Sequence, residues 1–164
     1  MAGRQLRTLI KRYPEEKKYV INLFHVYLQT GLLSPAEQLI SSLPPSYAPQ
    51  ATALLSLSQD NFIEAINQYT ALLESSKSLL LATNLSLAHL YSANVQFAIQ
   101  TLKPMLNEPG TERGVLSHAV YNLCTMYEIR DDLARRRKEE IMESIVGNYG
   151  DICGKGQFKL DSLR

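Results

Sequence analysis

Three alanines, Ala36, Ala65 and Ala98, stand 29 and 33 residues apart, and each lies within about five residues of a tight-turn signal. This recurrence constrains the fold more than any other feature of the chain. The segments around them, "LLSPAEQLI", "NFIEAINQY" and "NVQFAIQTL", are equivalent: each opens the second helix of a pair, where a small side chain lets two helices approach closely. A second pattern recurs in the first helices. Asn-Leu followed four residues later by Tyr occurs at Asn22, Leu23 and Tyr27 and again at Asn122, Leu123 and Tyr127, with a looser copy at Asn84, Leu85 and His89. Leu23, Leu85 and Leu123 are expected to point into the core. Tyr27, His89 and Tyr127 are expected to pack on the partner helix one turn on.

Apolar residues follow helical steps throughout. Phe62, Ala65, Ile66, Tyr69, Leu72 and Leu73 fall on one face, with Asn61 as a capping residue and Glu64 three residues later. Ser34, Pro35 and Glu37 read as a cap, a first-turn proline and the far side of a capping box. Gly31 sits where a left-handed helix cap is needed. The predicted pairs are Glu15–Thr30 with Ser34–Ser42, Gln50–Gln59 with Asn61–Glu74, Ser78–Ala93 with Asn94–Asn107, and Thr111–Ile129 with Asp131–Asn148. Pro44-Pro45 and Pro109-Gly110 punctuate them. No strand alternation is evident. The expected fold is all-α, with a basic, helical N-terminal segment over residues 1–14, a repeat domain over 15–148 and a C-terminal tail over 149–164.

The period resembles that of the tetratricopeptide repeat, near 34 residues, and implies an α-α superhelix (solenoid) of about four helix pairs. The match is degenerate: the chain has no Trp, and the fourth pair carries Arg136 where the earlier pairs carry Ala. Repeat packing then falls to Leu23, Tyr27, Ala36, Ala65, Tyr69, Leu85, Ala98, Leu123 and Tyr127. In such a solenoid the first helix of each pair lines the concave face. That face would hold His25, Leu28, Leu54, Leu57, Leu87, Leu90, Tyr91, Tyr121 and Thr125. Chaperone-binding repeats grip a peptide carboxylate with cations; here Ile21, Thr83 and Tyr121 stand at those places. An apolar, Tyr-bearing groove suits a helix or loop of a stable partner instead.

Composition narrows the function classes. With 164 residues, 45% of them apolar, and a net charge of +1, the chain is globular and lacks the broad basic footprint of a nucleic-acid-binding protein. No apolar run reaches the ~18 residues of a membrane span, and the N-terminus lacks an apolar signal core. Cys124 and Cys153 are too few for a disulfide framework.

No chemistry-bearing motif survives inspection, and no cofactor is expected. "GDICGKG" (Gly150–Gly156) has one glycine-to-glycine step too few for a phosphate loop, and Gly156 stands where Ser or Thr would hold magnesium. His25, His89, His118 and the two cysteines lack metal-ligand spacing. No catalytic Ser-His-acid or Cys-His pair can be placed. "RRRK" (Arg135–Lys138) could bind phosphate, nucleic acid or anionic lipid, but reads first as a solvated face or a protein contact, with Asp131–Arg135 and Asp132–Arg136 as four-step ion pairs and Glu139, Glu140 and Glu143 balancing the charge. The basic run "RQLRTLIKRYPEEKK" carries the same ambiguity between a solvated face and an anion-binding one.

The C-terminal part carries a more specific signal. Asn122, Leu123, Thr125, Met126, Tyr127 and Glu128, then Gly147, Gly150 and Asp151, then Lys159 and Leu160, resemble the end of the repeat region in the trafficking protein particle (TRAPP) complex subunit 12 family. Tyr27–Gly31 and Phe62–Ala65 also resemble segments of that family, so the resemblance runs from roughly Glu15 to Leu160. It implies a non-catalytic subunit of a tethering and Rab guanine-nucleotide-exchange complex of early secretory traffic and autophagy. The implied partners are other TRAPP subunits, large ones such as 11 and 13 and through them the core. A Rab GTPase would be met only indirectly, nucleic acid not at all, and membrane only through the complex. The implied location is cytoplasmic, peripheral at the ER–Golgi intermediate compartment and Golgi. Family members are often much longer. The competing expectations are a tetratricopeptide-repeat adaptor or co-chaperone of another complex, and an enzyme or small-molecule carrier with a pocket between repeats.

Overall fold

The computed structural model describes residues 2–108, 113–130, 132–149 and 155–158. Among these residues the regular structure is helical, and no strand occurs. The α-helices are α1 (Ala2–Arg12), α2 (Lys18–Gln29), α3 (Leu33–Leu39), α4 (Ala48–Ser58), α5 (Phe62–Ser75), α6 (Leu79–Tyr91), α7 (Val95–Leu102), α8 (Arg113–Arg130) and α9 (Ala134–Tyr149). Short 3-10 segments follow α3 (Ile40–Ser42), α7 (Lys103–Asn107) and α9 (Lys155–Phe158). The chain divides into two compact units, Met1–Gln68 and Tyr69–Arg164.

The repeated turns share one backbone geometry. Gly31, Asp60 and Ala93 have φ of 72°, 60° and 63°, the left-handed conformation. The next residue's amide reaches back to the carbonyl five positions earlier: Leu32 to Tyr27 at 2.8 Å, Asn61 to Ser56 at 2.9 Å, Asn94 to His89 at 2.8 Å. The left-handed residue's own amide donates three positions back, to Leu28, Leu57 and Leu90. This double hydrogen bond is the Schellman C-cap, which satisfies carbonyls that a helix end would otherwise leave open. The amides of Ala36, Ala65 and Ala98 then close the first turn of the next helix on Leu32, Asn61 and Asn94. All three alanines are fully buried.

The helix starts and stops differ from expectation at identifiable places. Ser34 does not cap α3. The Schellman turn delivers the chain into helix at Leu33, so Leu32 is the N-cap and its side chain makes no capping bond. Pro35 is tolerated because its missing N–H falls among the first-turn amides that have no intrahelical partner. The helix expected through Asn107 leaves α geometry at Lys103, next to Pro104, which lacks the amide needed to continue the ladder. Asn94 does cap, its side-chain oxygen accepting from the Phe97 amide at 3.4 Å.

In the first unit, α1 lays Leu6 and Ile10 against a core of Val20, Leu23, Phe24, Tyr27, Ala36, Leu43, Ala51 and Leu55. In the second, α6 to α9 enclose a larger core that includes Leu79, Ala98, Leu102, Leu116, Leu123, Met126, Tyr127, Ile141 and Ile145. Cys124 is a fully buried member of it, and Cys153 lies outside the described residues. Phe158, from the segment read as tail, is 1% exposed and belongs to this core.

The "RRRK" run is not a uniformly solvated face. Arg135 and Arg136 are exposed, but they pair forward, with Glu139 at 3.1 Å and Glu140 at 3.4 Å. Arg137 lies 5.6 Å from the Tyr127 ring centroid, and Lys138 is wholly buried in an ion pair with Glu128 of α8. The cause is helical phase: Ala134, Lys138, Ile141 and Ile145 form the buried stripe of α9. Helix α8 runs three residues past Tyr127, to Arg130, whereas α2 and α6 end two residues past Tyr27 and His89. Arg137, bonded through its amide to the Leu133 carbonyl, therefore occupies the alanine position, rather than Arg136.

Candidate functional site

The nine residues assigned to repeat packing are all buried: Leu23, Tyr27, Ala36, Ala65, Tyr69, Leu85, Ala98, Leu123 and Tyr127. His89, which replaces Tyr in the looser copy, is half-buried and stacks on Phe97 of α7, with ring centroids 5.8 Å apart.

The nine residues assigned to a concave face lie on first helices, and none of them is fully buried. In the first unit, His25 and Leu28 sit on α2 and Leu54 and Leu57 on α4. Leu28 and Leu54 spend part of their surface on the core. His25 Nε2 and Tyr47 Oη share a 2.8 Å hydrogen bond, and burial lowers the His25 pKa and raises that of Tyr47. In the second unit, Leu87, Leu90 and Tyr91 sit on α6, and Tyr121 and Thr125 on α8. Leu87 and Leu90 pack partly on the core. Tyr91 and Tyr121 are 63% and 47% exposed, and Thr125 donates to the Tyr121 carbonyl at 3.0 Å. What these surfaces offer is aromatic and aliphatic area with few charges, suited to burial against another polypeptide.

The positions that would carry a carboxylate clamp are otherwise engaged. Ile21 packs on the core, and buried Thr83 donates its hydroxyl to the Leu79 carbonyl at 2.7 Å. Among the described residues no group of three His, Cys, Asp or Glu side chains converges on a metal-sized site. No helix among them is long and apolar enough to cross a membrane. The glycine-rich segment 150–154 lies outside the described residues. A cleft lined by Lys103, Leu106, Asn107 and Glu140 holds about 90 Å³, well under the ~300 Å³ at which small-molecule sites begin.

A larger open groove of about 670 Å³ runs between α1 and the end of α2. The expectation of a basic, helical segment over residues 1–14 gave α1 no apolar face of its own. The signal was nonetheless present: Leu6, Leu9 and Ile10 alternate at helical spacing with Arg4, Arg7 and Lys11, which separates an apolar face from a basic one.

Along almost its whole length the chain is similar to two curated proteins of one name. Trafficking protein particle complex subunit 12 of Homo sapiens is 24% identical over 174 aligned positions, which cover 98% of this chain and 23% of that protein. The Mus musculus protein of the same name is 25% identical over 167 positions, covering 93% and 21%. The chain spans less than a quarter of the length of the curated relatives it matches. No family profile matches the chain. No solved structure matches it either.

Proposed function

We propose that the chain is a non-catalytic scaffold subunit of a TRAPP-type tethering and Rab-exchange complex, acting by protein–protein binding. The observation that carries this reading is similarity to TRAPP subunit 12 across 98% of the chain. Support at the level of residues comes from three superimposable turn-and-alanine units, at 31–36, 60–65 and 93–98, which bury equivalent side chains and leave other faces open. On this reading the helix pairs stack as a tetratricopeptide-like superhelix. Residues 1–14 form a basic N-terminal segment, 15–148 the repeat domain and 149–164 the tail. The face bearing His25, Leu28, Leu54, Leu57, Leu87, Leu90, Tyr91, Tyr121 and Thr125 receives a helix or loop from a large TRAPP subunit. The chain then works at ER–Golgi membranes through the assembly, in traffic and autophagy, with Rab GTPases met only through the core.

The test is affinity capture of the tagged chain from native extract, with bound proteins identified by mass. Retention of TRAPP core and large subunits through a moderate salt wash is the expected result. Capture of chaperones or of an unrelated stable complex would leave the helical repeat in place and remove the TRAPP assignment.

A further inference from the structure

Charge is unevenly spread along the chain. Residues 2–18 hold six Lys and Arg against Glu15 and Glu16, a net +4, whereas the whole chain is +1. The remaining chain is therefore net negative. The first helix holds four of those cations and no acid. Its apolar side faces the core through Leu6 and Ile10, so Arg4, Arg7, Lys11 and Arg12 remain exposed.

The groove at its first two turns is a concave site with two arginines and no carboxylate in its lining. Arg7 is held in place: its Nε and Nη2 donate to Tyr27 Oη at 2.9 and 2.6 Å, and its guanidinium carbon lies 5.7 Å from the Tyr27 ring centroid. A guanidinium has five N–H donors, so three remain for a ligand, in a fork already oriented by the buried tyrosine. Arg4 stands one turn away on the same helix and also lines the groove. Beside them, Val26 and Leu32 form an apolar wall, and Leu32 is 48% exposed. Thr30 also lines the groove, its hydroxyl donating to the Val26 carbonyl at 2.8 Å.

We infer that this groove docks an acidic segment of a partner protein, one carboxylate on Arg7 and Arg4 and a neighbouring apolar side chain on Val26 and Leu32. The pre-positioned planar fork favours a bidentate carboxylate. The concavity and the apolar wall favour a polypeptide over a bilayer. The apolar side of α1 that could enter a membrane is already turned to the core. The site does not depend on the relation to TRAPP subunits and lies apart from the first-helix face described above.

Fluorescence anisotropy of a labelled short peptide of repeated Glu-Asp-Leu, titrated with the whole chain at low and moderate salt, tests this. Saturable, salt-weakened binding is expected. Arg4→Glu should raise Kd at least about tenfold with an unchanged melting temperature, because Arg4 is exposed and removal of a charge partner weakens such contacts by this order. Leu32→Ser should raise Kd severalfold and also leave melting unchanged. Binding unaffected by both substitutions would overturn the site. So would equal affinity for poly-glutamate, which would reduce the interaction to diffuse charge. Arg4-dependent sedimentation with phosphatidylserine vesicles, with no affinity for the peptide, would replace the protein segment by a lipid surface.

Discussion

Lys138 and Glu128 sit where a hydrophobic pair would be expected. Lys138 lies on the buried stripe of α9, and the Glu128 carboxylate meets its ammonium there. A buried ion pair contributes little net stability against an apolar replacement, but loss of one partner strands a charge. Glu128→Ala should therefore destabilise the chain by up to about 3–5 kcal/mol, while Lys138→Met, which leaves a carboxylate that is 25% exposed and can be hydrated, should cost less. Urea unfolding of the two variants checks the asymmetry; equal losses would contradict it. The histidines provide a pH signature. Burial lowers the pKa of both His25 and His89, so the folded chain holds their protons less readily than the unfolded chain. Their contribution is complete above about pH 6.5, the unfolded value, and is lost as pH falls toward the lowered folded values. Melting temperature should fall between pH 7.5 and 5.5, and the His25→Gln, His89→Gln double variant should flatten that slope. An unchanged slope would mean that other groups carry the dependence.

At the scale of elements, the left-handed turns organise the chain. Gly31 adopts its positive φ without strain, and a β-carbon there would meet nothing within 4 Å. Only backbone strain would then act in Gly31→Ala, with a cost of about 1 kcal/mol. Ala93 shows the converse: with φ of 63° it bears a β-carbon in a conformation that glycine prefers. Ala93→Gly should stabilise by up to about 1 kcal/mol, part of the strain relief being offset by the greater entropy of unfolded glycine. Thermal denaturation of the two variants should move in opposite directions. The buried alanines face a stricter limit. Ala65 is wholly enclosed, and Ala65→Arg should cost several kcal/mol (about 3 or more) through overpacking and charge burial. Wild-type melting of that variant would place Ala65 outside the close helix contact. Much of this level was legible from residue types: the 29- and 33-residue spacings of the alanines are also those of the turns. Helix starts were less legible. Ser34 looks like a cap in isolation, but the Schellman hydrogen bonds to Tyr27 and Leu28 place the N-cap of α3 two residues earlier, at Leu32. Lys138 belongs by charge to a solvated face, but helical phase puts it on the buried stripe of α9. The groove beside Arg7 depends on a contact 20 residues away, Arg7 with Tyr27, which no local pattern in the sequence encodes.

At the scale of the molecule, two tyrosines of the repeated Asn-Leu-x-x-x-Tyr pattern, Tyr27 and Tyr127, are each approached by an arginine at 5.7 and 5.6 Å from the ring centroid. The arginines come from different elements, Arg7 on α1 and Arg137 on α9. The first unit uses its contact to orient a guanidinium beside an open groove. The second uses its contact where Arg137 replaces the repeated alanine, the point at which the regular pattern ends. A chain built this way repeats its internal packing and varies its exposed faces, which is the arrangement the proposed scaffold role calls for. The most direct measurement is size-exclusion chromatography with light scattering on the purified chain mixed with purified TRAPP large subunits. Co-elution at the summed mass, lost on Tyr91→Glu with Leu90→Arg, is the predicted result. Separate elution of an intact, folded chain from every TRAPP subunit offered would contradict the proposed membership of that assembly.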